Sequence, residues 1–238
     1  MLRQKVVPDK YKILSGSVLK LIAIITMLID HIGAHLMDNS LVLFTLGSYS
    51  VTLRILTRLV GRIAFPLFCF LLIEGFLHTR NRLRYGLNLF IFALISEIPW
   101  NLEHNGTLFL AGSQNVFFTL LLGYLALCAI EKLTSKPLLQ LITILALSVI
   151  SIYLRADYGR VGFLFIIFLY VLREHEILRL LPSFLLPKMW FVMAAFIPIT
   201  LYNGKRGFIK GNVMKYAFYI FYPAHIFVIY LLKYHVFA

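Results

Sequence analysis

The segment Thr26-Met27-Leu28-Ile29-Asp30-His31-Ile32-Gly33-Ala34-His35 places two imidazoles and a carboxylate inside an apolar run. On a helix, His31 and His35 are four apart and share one face. Asp30 precedes His31 by one residue and lies about 100° round the axis, so it points to a different neighbour or to the edge of the same cavity. Imidazole takes and returns a proton near neutral pH, and a nearby carboxylate can orient the ring or stabilise its charged form. The chemistry these residues suit is general acid–base work, or the proton relay of a transporter. His-x-x-x-His is also a metal-ligand spacing, but no third ligand stands nearby in sequence and no metal is expected.

A second group is Arg54, Arg58 and Arg62, spaced i, i+4 and i+8 as one cationic stripe along a helix. Guanidinium is the natural clamp for phosphate or carboxylate. The plainer alternative leaves Arg54 and Arg58 among lipid headgroups and buries Arg62 against an acid such as Glu97 or Asp30. Further polar residues stand within or beside apolar runs: Glu74, Glu97, Asn115 with Thr119 one turn on, Asp157 in a short turn, and Tyr219, Tyr222 and His225 around Pro223. An ionisable group at mid-membrane costs at least about 2.5 kcal/mol on the insertion scale, so each faces a protein interior or a watery cavity. For each, a functional role stands beside the alternative of interhelical glue.

The elements that must position these groups follow from composition. Of 238 residues, 61% are hydrophobic and 14% charged, against about 45–50% and 25% for a soluble domain. A soluble fold of this length cannot hide so much apolar surface, and disorder is excluded with it. The net charge of +13 comes from Lys and Arg scattered between apolar runs, which fits headgroups and cytosol rather than nucleic acid. The expectation is an all-α, polytopic transmembrane bundle of eight to ten membrane segments, one domain over residues 1–238, in the cell membrane. Basic Arg3, Lys5, Lys10, Lys12 and Lys20 predict a cytoplasmic amino terminus.

Spans are expected over residues 18–36, 59–77 (bent at Pro66), 85–99, 115–130, 137–154, 161–172 and 213–232. Residues 41–53 form a run too short to cross and read as re-entrant or interfacial. The loop 100–114 is expected outside. Residues 177–186 and 189–202 are interrupted by Pro182, Pro187 and Pro198. If both cross, the loop Asn203-Gly204-Lys205-Arg206-Gly207 is cytoplasmic, as its charge suggests; if one crosses, it lies outside. Tyr222 before Pro223 is expected to leave helical geometry and open backbone groups to a ligand.

Seven stretches, in order, carry a resemblance: LKLIAIITMLIDHIGAHL (19–36), RLVGRIAFPLFCFLLIEGFLHTRN (58–81), FALISEIPWNL (92–102), QNVFFTLLLGYLAL (114–127), ADYG (156–159), YNGKRG (202–207) and KYAFYIFYPAHI (215–226). The chain resembles the TraX family, membrane proteins linked to amino-terminal acetylation of conjugative pilin and related to acyltransferase-3 type enzymes. The resemblance implies an acyl-CoA donor, acetyl-CoA here, His31 as catalytic residue and Asp30 in its support; it assigns nothing to His35. The resemblance alone supports Asp157 as a site-facing acid, beside the alternative of a capping turn.

An amine acceptor must be neutral to attack a thioester, so a base must take its proton, and His31 can. Arg62 or Asn115 could donate to the developing oxyanion. Coenzyme phosphates would meet cytoplasmic Arg80, Arg82 and Arg84, with Lys205 and Arg206 if their loop is inside. Arg58, Arg62, Glu74, Glu97, Asn115, Asp157, Lys205, Arg206, Tyr219 and His225 are thus the expected substrate- or cofactor-binding set. The acceptor class is a peptide or pilin amino terminus, a glycan or a small amine. A proton-coupled small-molecule transporter is the competing reading.

Overall fold

The computed structural model describes residues 7–47, 49–109 and 112–236; Arg3 and Lys5 of the basic arm lie outside them. The chain is mostly helical. Three helical stretches are long and apolar enough to cross a membrane: Gly16–His35, Leu53–His78 and Gly211–His235. Packing divides the chain into two compact units, one of residues 7–68 with 187–238, the other of residues 69–186.

In the first unit, α1 (Gly16–His35) begins at Ser15, whose hydroxyl accepts from the Val18 amide. The N–H groups of a first helical turn have no partner within the helix. Here the Gly16 and Ser17 amides donate to the carbonyls of Lys205 and Arg206 at 2.8 and 2.9 Å. Ser17 Oγ donates to the Arg206 carbonyl and accepts from the Ile209 amide, both at 2.8 Å. Gly207 has φ +88°, and a Cβ there would lie 2.3 Å from Ser15 Oγ, so this close approach requires glycine. The loop 203–207 therefore sits at the start of α1, the end that carries the basic arm.

The chain leaves α1 through an antiparallel hairpin, β1 (Val42–Leu46) and β2 (Tyr49–Thr52). This corrects the expectation of a purely helical fold with a re-entrant run over 41–53. Val42, Phe44 and Thr45 before Gly47, and Tyr49, Val51 and Thr52 after it, are β-prone, and Gly47 has φ +62°, a hairpin pattern. Helix α2 (Leu53–Gly61) returns antiparallel along α1, capped by Thr52, whose hydroxyl accepts from the Ile55 amide. The two helices approach closely at Gly33 and Gly61: a Cβ on Gly33 would lie 1.9 Å from Thr57 Oγ1, and one on Gly61 2.0 Å from Asp30 Oδ1.

A break at Arg62–Ile63 separates α2 from α3 (Ala64–His78). The expected bend at Pro66 is thus a restart just ahead of it. Pro66 has no N–H to offer the Arg62 carbonyl, and it is tolerated in a first turn, where that N–H has no intrahelical role.

The remainder of this unit is α8 (Met189–Ala194), α9 (Phe196–Thr200) and α10 (Gly211–His235). Helix α10 passes straight through Pro223, correcting the expected opening at Tyr222. A single Pro removes one hydrogen bond, which the flanking turns of a long helix can sustain.

The second unit is built from α4 (Arg82–Asn105), α5 (Val116–Lys132), α6 (Pro137–Tyr153), α7 (Gly159–Val171) and a 3₁₀ helix (Leu178–Leu185). Helix α4 outruns the expected span and absorbs Trp100–Asn105 from the expected loop, ending at Gly106 with φ +67°. Its exposed stripe is apolar: Leu87, Phe90, Ile91, Leu94, Ile95 and Ile98. Its buried face includes Asn88, Ser96, Asn101 and Glu103. A water-soluble helix shows the reverse. Leu138, Leu141, Ile142, Leu145 and Val149 are likewise exposed on α6.

The α1–α2 contact yields a stability test. Gly33→Ala should destabilise the protein by about 1–3 kcal/mol, the usual cost of overpacking. Gly86→Ala, whose added Cβ would stand 3.1 Å from the Tyr124 ring, should cost less. Thermal unfolding in detergent of the two variants against the parent protein reads the difference.

Candidate functional site

Helices α1 and α10 start at the same end of their unit. His31 lies fifteen residues beyond Gly16 and His225 fourteen beyond Gly211, which puts both imidazoles about 21–23 Å along at 1.5 Å per residue. The rings meet there. His31 Nδ1 and His225 Nε2 are 2.7 Å apart, the ring planes agree within 6° and the centroids are 4.9 Å apart. Most of that separation lies along the nitrogen–nitrogen line, so the rings touch edge to edge in one plane, the alignment of a hydrogen bond rather than a face-to-face stack.

With both rings neutral, the proton positions follow from a third group. His225 Nδ1 lies 2.8 Å from the Phe221 carbonyl oxygen. A carbonyl only accepts, so His225 Nδ1 carries the hydrogen and its Nε2 carries the lone pair. His31 must then donate its own Nδ1–H to that lone pair. His31 Nε2 is left as the basic nitrogen. Tyr222 and His35 stand edge-on to the His31 ring at 6.4 and 6.0 Å, and Phe221 packs along His225 at 4.9 Å. His225 is buried, while His31 is half-buried.

Asp30 faces Arg58. Its Oδ2 meets Arg58 Nη1 at 2.5 Å, because the 100° step between neighbours turns it toward α2. Arg58, not Arg62, is thus the partner of Asp30. Arg62 Nε is buried with no hydrogen-bond partner among the described residues. Lys188, ahead of α8, lies in the combined field of Arg62, Arg58 and Asp30; burial first, then the two guanidiniums, holds its ammonium below the usual lysine range.

At the other end of α1, Lys20 feels the charges of Arg206 and Lys215. Lys205 and Arg206 are exposed there. Lys215 lies over the rings of Tyr216 and Tyr219 at 5.2 and 5.9 Å. Tyr219 thus meets this basic end through Lys215.

In the second unit the polar residues make contacts within the fold. The Asn115 side-chain amide donates to the Ala93 carbonyl at 2.8 Å and to Glu97 Oε1, while its carbonyl caps α5 by accepting from Phe117. With both amide hydrogens engaged, Asn115 has none to offer an oxyanion. Glu97 is held by Asn115. Asp157 shapes its turn: its backbone accepts from Thr119, and its carboxylate accepts from the Tyr158 amide. Glu74 lies 3.8 Å from His78, the first residue of the basic loop. Arg82 is committed to Glu131 at 2.5 Å and to the Phe76 ring, which removes it from the expected phosphate-binding set. Arg80 and Arg84 are exposed.

The sequence reading did not anticipate the His31–His225 bond or Lys188. The pair spans 194 positions, and no local spacing could announce it. Lys188 carried a weak signal, a lone cation between Pro187 and an apolar run.

This is a helical protein of the membrane class with a paired-imidazole centre on two of its three long apolar helical stretches. Residues 15–233 match the family described as TraX protein, and the chain belongs to that family. It is 32% identical over 241 residues to the probable fimbrial assembly protein FimC, serogroup H1, of Dichelobacter nodosus, covering 87% of this chain and 91% of that protein. No solved structure matches.

The tautomer assignment is open to direct measurement. With ¹⁵N-labelled histidine, His225 and His31 should both show the neutral Nδ1–H form. A His225 ring protonated at Nε2 alone would reverse the assignment.

Proposed function

We propose that this protein is an integral-membrane acyltransferase that moves an acetyl group from acetyl-CoA to an amine, such as the amino terminus of a fimbrial or pilin subunit. The observation that carries the reading is the His31–His225 bond, which leaves a basic nitrogen on a half-buried ring well inside an apolar helix. Membership of the TraX family and likeness to a protein named for fimbrial assembly support the acceptor class.

In this reading, the acceptor nitrogen attacks the thioester carbonyl and loses its proton to His31 Nε2. The N–C bond forms, the C–S bond breaks, and the proton passes from His31 to the departing sulfur. While His31 is charged, its Nδ1–H bond to His225 becomes charge-assisted and stronger. His225, its tautomer locked by the Phe221 carbonyl, takes the place expected for Asp30. It is a positioning residue.

Coenzyme phosphates are assigned to the basic end of α1, to Lys20, Lys205, Arg206 and Lys215. That end is placed in the cytoplasm by the charge of the arm and loop. Lys20 is eleven residues from His31, a rise of about 16 Å, which the long arm between phosphates and thioester would bridge. The inside-out polarity of α4 and the exposed apolar face of α6 support further crossings and a multi-pass protein of eight to ten membrane segments.

The test supplies labelled acetyl-CoA and an amino-terminal subunit peptide to protein in nanodiscs. His31→Ala should lower label transfer by at least about 100-fold, the lower range of a general base's contribution. His225→Ala should lower kcat with little change in KM and alter the pH profile, and His225→Gln, which retains an acceptor, should recover part of the rate. Transfer that survives His31→Ala unaltered would remove the proposal, and no transfer by the parent protein would favour an assembly role without chemistry.

A further inference from the structure

Asp30 is the centre of an unbalanced group of charges. Arg58 binds it directly at 2.5 Å. Arg62 and Lys188 both act on it from nearby. Within residues 7–68 and 187–238 the acids are Asp9, Asp30 and Asp38 only. Asp9 is paired with Lys12 at 3.7 Å, and Asp38 bonds Ser40 at 2.6 Å. Asp30 is thus the one carboxylate of this unit seated among three cations, which leaves a local surplus of positive charge.

The geometry sharpens this surplus. Gly61 admits the Asp30 side chain, where any Cβ would collide with it; Asp30 Oδ2 is taken by Arg58, no hydrogen bond joins Asp30 to Arg62 Nε, and one carboxylate faces three cations. Arg62 Nε is buried and unbonded among the described residues, and a guanidinium donor left so is costly. Arg62 sits at the break between α2 and α3, where the helix ladder is interrupted. Lys188 adopts φ +57° and ψ +44°, a left-handed backbone uncommon for a residue with a side chain, and the residue keeps part of its surface in contact with solvent although burial weighs on its ammonium.

We propose that Arg62 and Lys188, backed by the Asp30–Arg58 pair, form an oxyanion site for a carboxylate or phosphate group of the acceptor. Asp30 lies fourteen residues beyond Gly16, about 21 Å from the basic end of α1, and directly beside His31 in sequence. The acceptor would be held by its negative group at this end while the coenzyme is held at the other. The word acceptor rests on the acyltransferase reading; the oxyanion site does not.

The experiment follows Lys188 itself. Full-length protein in phosphatidylcholine nanodiscs is treated with an amine-acylating reagent, with and without inorganic phosphate. Labelling of the Lys188 peptide is read by mass spectrometry against the exposed Lys136 of the same molecule. Phosphate should slow Lys188 labelling at least threefold in the parent protein. The protection should vanish in Arg62→Gln and persist in Arg62→Lys and in His31→Ala. Equal Lys188 labelling with and without phosphate overturns the site. Full protection by phosphatidylglycerol nanodiscs, with no further effect of phosphate, overturns the acceptor assignment and gives the site to a lipid headgroup. The readout needs no acetyl transfer, so failure of the acyltransferase reading would leave protection at Lys188 intact.

Discussion

Two imidazoles and one backbone carbonyl form the hydrogen-bond chain on which the centre depends. The Phe221 carbonyl fixes a proton on His225 Nδ1, that proton fixes a lone pair on His225 Nε2, and the lone pair fixes a proton on His31 Nδ1. Each link leaves one choice for the next. The carbonyl has two lone pairs, so it can serve the ring and still belong to its helix. The unbroken run of α10 through Pro223 matters here, because Phe221 and His225 lie on either side of the proline and must keep helical spacing for the ring to reach back one turn.

The same unit separates two cationic regions by the length of α1. One is at its start, where the carbonyls of Lys205 and Arg206 complete the first turn and bring their loop with them. The other is near its end, where Asp30 holds Arg58. A helix with basic side chains at its start, and an imidazole pair beside a guanidinium-bound carboxylate near its end, has a direction. Apolar flanks make that direction matter, because charged groups stay in place only where they are paired, hydrated or bound to something of opposite sign.

Much of the fold was legible because long apolar runs in a chain this hydrophobic must be helices, and α5, α6 and α7 fall close to the limits expected for them. Two kinds of feature were not. Residues 41–53 were apolar enough to resemble a short membrane segment, and only the placement of Gly47 between β-prone residues hinted at a hairpin. Prolines were read as bends where they sit: Pro66 acts four residues upstream through the carbonyl it cannot serve, and Pro223 does not interrupt its helix. In the site, periodicity correctly separated the faces of Asp30 and His31, yet adjacency in sequence still suggested that they cooperate. The true partner of His31 lies on the last helix, and pairings of that range arise from packing.

A histidine in place of an aspartate beside His31 has a chemical consequence. A carboxylate on Nδ1 would add a fixed negative charge and favour the imidazolium even before substrate arrives, which would occupy the nitrogen needed as a base. A neutral imidazole fixes orientation and tautomer without that charge. With the two nitrogens 2.7 Å apart, a charge placed on one ring is felt directly by the other. Asp30, drawn off by Arg58 on α2, is held one helical step away from that balance. The close glycine contacts of α1 with α2 seat Asp30 on its arginine and leave His225 as the group bonded to His31 Nδ1.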